Sequence, residues 1–434
     1  MAPTSIRLRT YQVGFGDCFL LTFRYPDGDR HVLMDFGSMG LPADVPKSRM
    51  LEVAKDIDAQ VRGPDGNGRL TAVVATHRHK DHVSGFDPTT KSKKSGQIIA
   101  ALKPKLVIQP WTEDPKLDPK ATGPTLSSNG PSALKMTRVS ALSAMQTVAG
   151  QVANEVKRVR YLPQAMRSEL SFLGEDNIGN ADAVSNLMTM GPNDYVHAGL
   201  PTKLSDLLPG VDVHVLGPPT VDQTAIIKKQ RSRDPQEYWH LQSAAGDTLT
   251  PAARGRVKPL FPNHVRASKN PFPEDARWLM HHARRVHSEQ MLSIVRMLDK
   301  AMNNTSLILL FKIGGKSLLF PGDAQYENWS YALSQESVRT LLKDVDVYKV
   351  GHHGSLNATP KSLWNLFQNR SSDANSPDRM MSVMSTMPGK HGAVDRNTEV
   401  PRKTLKAALA KESNLFSTEE LQGTTFYKDI NIVL

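Results

Sequence analysis

The chain has 434 residues, 39% of them hydrophobic and 22% charged, the balance of an ordinary globular protein. Cys18 is its single cysteine, which excludes an internal disulfide. The N-terminus lacks the basic-then-apolar pattern of a signal peptide, and no apolar run is long enough to span a bilayer. We therefore expect a cytoplasmic protein without a membrane partner. The net charge of +11 is a mild indication of an anionic partner such as nucleic acid.

The first third of the chain predicts an antiparallel meander followed by a buried strand. Alternating apolar residues over 6–13 indicate a first strand, and the segments 18–23 and 30–35 indicate two more, separated by glycine-containing turns. The apolar, β-branched run 70–75 indicates a fourth strand. A short helix is expected over 97–102, with another strand over 105–109.

The middle of the chain has little strand patterning. A loop is expected over 112–132, a helix over 142–159 and irregular structure over 164–202. A strand over 211–216 is followed by a polar stretch, and an amphipathic helix is expected over 279–298. We therefore expect segments 112–205 and 220–302 to be insertions within a single domain that spans residues 1–434.

Strand patterning returns in the last third. Residues 306–311 and 317–320 flank Gly314-Gly315, which predicts a hairpin. The patterns then indicate further elements in chain order: a helix over 327–342, a strand over 345–350, a strand over 382–385, a helix over 405–415 and closing strands over 425–434. Two strand-rich halves, each followed by helix, predict a mixed α/β (α+β) fold.

The sequence Thr-His-Arg-His-Lys-Asp-His occupies residues 76–82, directly after the buried strand. His77 and His79 are two positions apart, so at a strand end their side chains point the same way. Three imidazoles and a carboxylate this close could hold two divalent metals, His77 and His79 on one, Asp81 and His82 on the other. A polar turn that is rich in histidine by chance is the alternative.

Other predicted strand ends carry Asp, His or Gly where ordinary turn residues are usual. They are Asp35-Phe36-Gly37, Pro321-Gly322-Asp323-Ala324, Gly351-His352-His353-Gly354-Ser355 and Gly389-Lys390-His391-Gly392. Active sites are often built from such loops on a rigid sheet.

In this order, the motifs resemble those of the metallo-β-lactamase-fold hydrolases, and especially the hydrolase domain of ComEC-type DNA-uptake proteins and its free-standing relatives. The segment Val13–Leu21 resembles that group's strand-Gly-x-Gly-Asp-strand start, and Gly322-Asp323-Ala324 with Lys349–Ser355 is the most specific part. Resembling segments cover 6–110, 205–219 and 303–434. The resemblance implies an αββα sandwich with two zinc ions, or manganese ions, at one edge of its two sheets.

The resemblance also implies metal ligands. His77 and His79 would hold the first ion, Asp81 and His82 the second, and Asp323 would bridge both. Either His352 or His353 would complete the second site, and the sequence leaves this choice open.

Further roles are implied around these ligands. Asp35 would accept a ligand imidazole N–H and so orient the ring, and Asp17 would have a similar structural role. Asp81, Asp35 and His391 form the expected catalytic set, with His391 protonating a leaving group. The residues expected to bind a phosphate oxygen of the substrate are Lys349, Ser355 and Asn357.

The chain departs from lactamase-type members, which place a further histidine on the first metal. His197, His214 and His264 are the candidates, and His214 lies inside a predicted strand, where a core or surface role is favoured. Water, substrate or His391 could complete this site instead.

Two divalent ions would lower the pKa of a shared water and neutralise charge in the transition state. With the basic charge, the resemblance favours a metal-dependent phosphodiesterase or nuclease. The alternatives are a hydrolase of a small phosphodiester or other ester, and a metal-binding partner subunit without turnover.

Overall fold

The computed structural model describes residues 1–63, 65–89, 95–116, 180–224, 302–355, 359–392 and 399–434, with Arg167, Leu170, Leu292, Arg296 and Asp299. The chain divides into two compact units. The first comprises Met1–Val139, Gly179–Ala225 and Lys300–Leu434, and the second Ser140–Ile178 and Ile226–Asp299. The residues of the second unit fall within the two segments predicted to be insertions, 112–205 and 220–302. That these segments are insertions within a single domain stays a prediction. The helix expected over 142–159 lies outside the described residues.

Seven strands of the first unit form one sheet. They are β1 (Ser5–Tyr11), β2 (Cys18–Arg24), β3 (Arg30–Phe36), β4 (Leu70–Val74), β5 (Leu106–Pro110), β6 (Asn193–Val196) and β13 (Tyr427–Val433). Their order is β13-β1-β2-β3-β4-β5-β6. Strands from β13 to β3 are antiparallel neighbours, and those from β3 to β6 are parallel.

The other six strands form a second sheet. They are β7 (Asp212–Gly217), β8 (Ile308–Ile313), β9 (Lys316–Phe320), β10 (Val347–Lys349), β11 (Met381–Met384) and β12 (Asn414–Ser417). Their order is β12-β11-β10-β9-β8-β7. The β7-β8-β9 strands are antiparallel neighbours, and β9 to β12 run parallel.

The described helices of the first unit are short. They are α1 (Arg49–Val61), α2 (Lys80–Val83), α3 (Ser95–Ala101), α4 (Ala181–Thr189), α5 (Leu204–Leu207), α6 (Tyr326–Ser334), α7 (Glu336–Leu342), α8 (Lys361–Trp364) and α9 (Lys403–Glu412). None of the helices in the described part of the chain has the length and apolar character needed to cross a membrane.

Three hydrophobic clusters define the layers. One cluster lies between the two sheets and draws side chains from both, including Phe19 and Phe320. A second joins the outer face of the seven-stranded sheet to α1, α3 and α4, and a third joins the outer face of the six-stranded sheet to α6–α9. The order helix, sheet, sheet, helix confirms the predicted mixed α/β sandwich.

Several element predictions were wrong in detail. The region 164–202, expected to be irregular, contains α4 and β6, and β6 extends the seven-stranded sheet. Helix α1 was missed, although its buried residues Met50, Val53 and Ile57 follow helical spacing. The helix expected over 327–342 is two helices that meet at Gln335. The helix expected over 405–415 ends at Glu412, because the chain then enters β12.

The strand directions bring distant motifs to one edge of the sandwich. Since β3 and β4 are parallel, the residues after both strands lie at the same edge, and β9, β10 and β11 end together in the other sheet. Because β2 is antiparallel to β3, Asp17, just before β2, lies at the edge where β3 ends. In open α/β sheets, ligands bind outside the carboxyl ends of parallel strands.

Candidate metal centre

The histidine-rich motif forms the loop after β4 and the start of α2. Its side chains His77, His79, Asp81 and His82 are at most 2% exposed. The His77 Nε2 atom lies 3.0 Å from His79 Nδ1, so the two rings converge after the strand.

One group of four metal-ligating side chains joins the two sheets. It consists of Asp81, His82, Asp323 and His353, whose ligand atoms all lie within 4.8 Å of one another. His82 Nε2 lies 3.1 Å from Asp323 Oδ2, and His353 Nε2 lies 2.9 Å from Asp81 Oδ2. Two imidazoles and two carboxylates form a set of the kind that holds zinc.

A second group consists of His77, His79 and Asp81. The two groups share Asp81, so they form adjoining sites. Asp81 is the carboxylate common to both groups, and the bridging role that the resemblance implies for Asp323 stays a prediction.

The buried polar atoms of the first group fit a bound cation. Asp81 Oδ1 and Asp323 Oδ1 are buried without a hydrogen-bond partner among the described residues, and His82 Nε2 and Asp323 Oδ2 face one another at 3.1 Å without the geometry of a hydrogen bond. Buried polar atoms normally form at least one hydrogen bond, so we infer that these atoms contact a group that the structure does not contain. A divalent ion held by nitrogen and oxygen ligands would satisfy them together.

Asp35 holds the loop and one ligand ring. The Thr76 backbone N–H donates to Asp35 Oδ1 at 2.7 Å and the Thr76 hydroxyl donates to Oδ2 at 2.8 Å. His82 Nδ1 also lies 2.8 Å from Oδ2. A carboxylate only accepts, so Nδ1 carries a proton and Nε2 is turned towards Asp323.

The structure separates the two candidates His352 and His353. His353 Nδ1 lies 2.9 Å from the Ser385 carbonyl oxygen, to which it donates, so Nε2 faces the carboxylates. His352 Nδ1 lies 2.8 Å from the Ser355 hydroxyl, and its Nε2 is 3.8 Å from Asp323 Oδ2. Only His353 belongs to the donor group, while the His352 side chain is 21% exposed at its border.

Acidic and basic groups offset one another across the site. Burial alone would lower the pKa of His82 and of His353, but the facing carboxylates, Asp323 foremost, raise the first well above its usual value and the second to about 9. Burial would raise the pKa of Asp323, but these imidazoles hold it well below its usual range. A divalent cation would therefore displace protons from the rings when it binds.

The residues expected to bind substrate have different settings. Lys349 is 2% exposed and forms an ion pair with Asp17, and its predicted binding of a phosphate oxygen stays a prediction. Ser355 bonds to His352. His391 lies 6.5 Å from Phe15 between ring centroids, and is close enough to His352 to contribute to the lowering of its pKa. Asn357 lies outside the described residues.

None of the candidates for a further ligand on the first metal joins a described donor group. His197 Nδ1 lies 3.0 Å from the Ala198 carbonyl oxygen, and His214 lies within β7. Burial lowers the pKa of both rings. His264 lies outside the described residues.

Sequence reasoning missed how central Asp17 is. It forms a third group with Asp35 and His82, and its side chain is fully buried. The sequence feature that could have identified Asp17 is its position directly after Gly14-Phe15-Gly16 and before β2. Gly16 allows a close approach, because a Cβ there would meet the backbone oxygens of Gly37 and Asp81.

Neither the family models nor the curated proteins include a match to the chain. Among solved structures, it is similar to the metallo-beta-lactamase fold protein YhfI from Bacillus subtilis, with 10% identity, 98% of this chain and 100% of that chain covered, and a TM-score of 0.34. A likeness at this level assigns no role to any residue, and roles follow from the donor groups described above.

Proposed function

We propose that the protein is a metal-dependent hydrolase with a dinuclear centre, and that its substrate is a phosphodiester, with nucleic acid as the preferred class. The observation that carries this proposal is the pair of adjoining donor groups that share Asp81. In a purely structural network of carboxylates and imidazoles, the buried polar atoms form hydrogen bonds with one another. Here several of these atoms form no hydrogen bond among the described residues.

The ligand roles divide between the groups. His77, His79 and Asp81 would hold one ion, and Asp81 with His82, Asp323 and His353 would hold the other. Bound there, the ions would supply Lewis acidity and lower the pKa of a water molecule.

Other side chains and backbone groups would orient the ligand rings and protonate the leaving group. Asp35 and the Ser385 carbonyl fix the rings of His82 and His353, so the ligand atoms are held in place before any ion binds. On the more exposed side, His391 could hold a proton for a leaving alkoxide.

The choice of a phosphodiester rests on charge. The chain carries a net charge of +11, and His352 and His391, which are partly exposed beside the site, can donate hydrogen bonds to phosphate oxygens. These features support an anionic substrate over a neutral ester.

Metal analysis and a substrate panel test the proposal. We expect about two zinc or manganese equivalents per chain after mild purification, with hydrolysis of single- or double-stranded DNA, RNA or bis-p-nitrophenyl phosphate. Turnover of the small diester alone would indicate a small-molecule phosphodiesterase. Two bound ions without turnover on any member of the panel would indicate a metal-binding subunit. A protein that binds no divalent ion would contradict the proposal altogether.

A further inference from the structure

A buried ammonium lies among the carboxylates of the candidate metal centre. Lys349 ends β10 and donates to the Gly322 carbonyl oxygen at 3.2 Å. Its Nζ forms a close ion pair with Asp17 Oδ2 and lies 3.7 Å from Asp323 Oδ1. This geometry places the Lys349 ammonium beside Asp323, one of the candidate metal ligands.

The two carboxylate oxygens of Asp323 face different neighbours. Oδ1 faces the Lys349 ammonium, whereas Oδ2 faces the imidazoles of His82 and His353 at 3.1 and 3.7 Å. Lys349 and the donor group thus face different oxygens of one carboxylate, and an ammonium that moved closer to Asp323 would weaken the attraction of this carboxylate for a metal ion.

Asp17 is fixed so that it can hold Lys349 on its own side. The Asp17 backbone N–H donates to the Asp81 carbonyl oxygen at 2.9 Å, and the Gly37 N–H donates to the Asp17 carbonyl oxygen at 3.1 Å. The backbone on both sides of the Asp17 carboxylate is therefore tied to the end of β3 and the start of α2. The ammonium contacts Asp17 and lies 3.7 Å from Asp323, so its ion pair with Asp17 is the closer of the two.

We propose that Asp17 is a positioning residue that retains the Lys349 ammonium and so keeps Asp323 available to a divalent cation. This inference rests on the proposed metal centre. It predicts that the effect of Asp17 on metal affinity depends on Lys349. Without the lysine, no ammonium is present that could pair with Asp323, and the Asp17 carboxylate no longer matters for binding.

Zinc affinity of a set of variants tests this dependence, measured by competition with a chromophoric chelator and without any enzyme assay. In Asp17→Asn, the released ammonium pairs with Asp323, and zinc affinity falls about 100-fold, at the upper end of losses caused by residues that support ligands. In the double variant Asp17→Asn/Lys349→Met, affinity returns to within about threefold of wild type, since a single charge adds little once the competitor is gone. Lys349→Met alone binds zinc at least as tightly as wild type.

The alternatives give different patterns. If Asp17 were itself a ligand, or if the pair were only structural, the double variant would bind no better than Asp17→Asn, and the inference would be overturned. A tenfold loss in Lys349→Met alone would overturn it too, and this variant remains informative if Asp17→Asn does not fold.

Asp56→Asn serves as the matched control. Its carboxylate also accepts from a cation, Arg9 Nη1 at 2.7 Å, but it belongs to none of the donor groups. We expect a lower urea midpoint for the metal-free protein and unchanged zinc affinity. Failure of wild-type protein to bind zinc would count against the proposed function, whereas normal wild-type binding without rescue counts against this inference alone.

Discussion

At residue scale, Asp35 lies at φ 54°, a left-handed backbone conformation that is costly for a side chain other than glycine. In this conformation its carboxylate accepts from Thr76 twice and from His82 once. Local strain is thus offset by three hydrogen bonds that hold the metal-binding loop.

Asp35→Asn tests this role. In the variant, an amide NH2 group replaces one carboxylate oxygen and faces a hydrogen-bond donor, so at least one of the three hydrogen bonds is lost. We therefore expect a loss of about 1–3 kcal/mol in the free energy of unfolding. Zinc affinity should fall about 10–100-fold, because the His82 ring loses its orientation. Urea unfolding and chelator competition measure the two effects.

Asp194→Asn is a matched control for Asp35→Asn. Asp194 also accepts from a threonine hydroxyl and a backbone N–H, those of Thr202 and Lys203, both at 2.9 Å, away from the donor groups. It should lose stability without losing zinc affinity. An equal loss of affinity in both variants would show that Asp35 acts only through general stability.

His31 gives a prediction about pH. The ring is 4% exposed in β3, and burial lowers its pKa to about 4. Because an unfolded histidine titrates near 6.5, the unfolded chain binds the proton first as pH falls. The stability that His31 contributes above pH 6.5 is therefore lost progressively towards pH 4.

His31→Leu should remove this dependence. Between pH 7 and pH 5, we expect the metal-free wild type to lose about 2 kcal/mol more unfolding free energy than the variant. Urea unfolding of both proteins at the two pH values measures the difference. Parallel losses would mean that the ring is protonated in the folded protein.

At the scale of elements, the approach of α2 to the end of β3 depends on Gly37. A Cβ at this position would lie 2.3 Å from the Asp81 carbonyl carbon and 2.4 Å from the His82 nitrogen. These contacts are with backbone, which cannot turn aside as a flexible side chain can.

Gly37→Ala should therefore displace the start of α2. We expect a loss of about 1–3 kcal/mol in unfolding free energy from the overpacking. Zinc affinity should fall at least tenfold, because both ligands on α2 move. In Gly28→Ala, the new Cβ meets nothing within 4 Å, although φ is 123°. That control should lose about 1 kcal/mol or less and keep its zinc affinity; similar affinities in the two variants would refute the packing argument.

At the scale of the whole molecule, the donor group connects the two sheets. Asp81 and His82 follow β4 of one sheet, whereas Asp323 and His353 follow β9 and β10 of the other. A cation bound by all four should hold the sandwich closed at this edge. Since it would bind the folded state alone, it should stabilise that state by mass action.

Removal of metal tests this coupling. With free zinc at 100 times its Kd, we expect about 2.7 kcal/mol of added stability per site, and hence a higher Tm than in EDTA. Differential scanning calorimetry with zinc and with EDTA provides the comparison. An unchanged Tm despite measured zinc binding would mean that the unfolded chain binds zinc as tightly as the folded protein, and would contradict a site that exists only when the sheets meet.

The strands near the site could be predicted because their patterns are local. The runs at 18–23, 70–75 and 317–320 each contain a single polar residue among apolar ones, and each became a largely buried strand. The short strand β6 and helix α4 carry weaker patterns, and their place depends on pairing with β5, a contact that no local pattern encodes.

The same distinction applies to the site. The spacing of residues 77–82 identified the donors on one loop. Sequence could not choose between His352 and His353, because consecutive left-handed φ values of 40° and 52° decide which ring turns inwards. Nor does any local pattern show that Lys349 pairs with Asp17, since this contact joins residues from the two sheets.

The split origin of the ligands also governs when the centre can exist during synthesis. On the ribosome, the loop at 77–82 emerges long before Asp323 and His353. An early chain can offer only the three-residue group of His77, His79 and Asp81, and the other group must wait for the closing strands. A nascent chain that has not yet reached Asp323 and His353 would therefore lack the larger donor group.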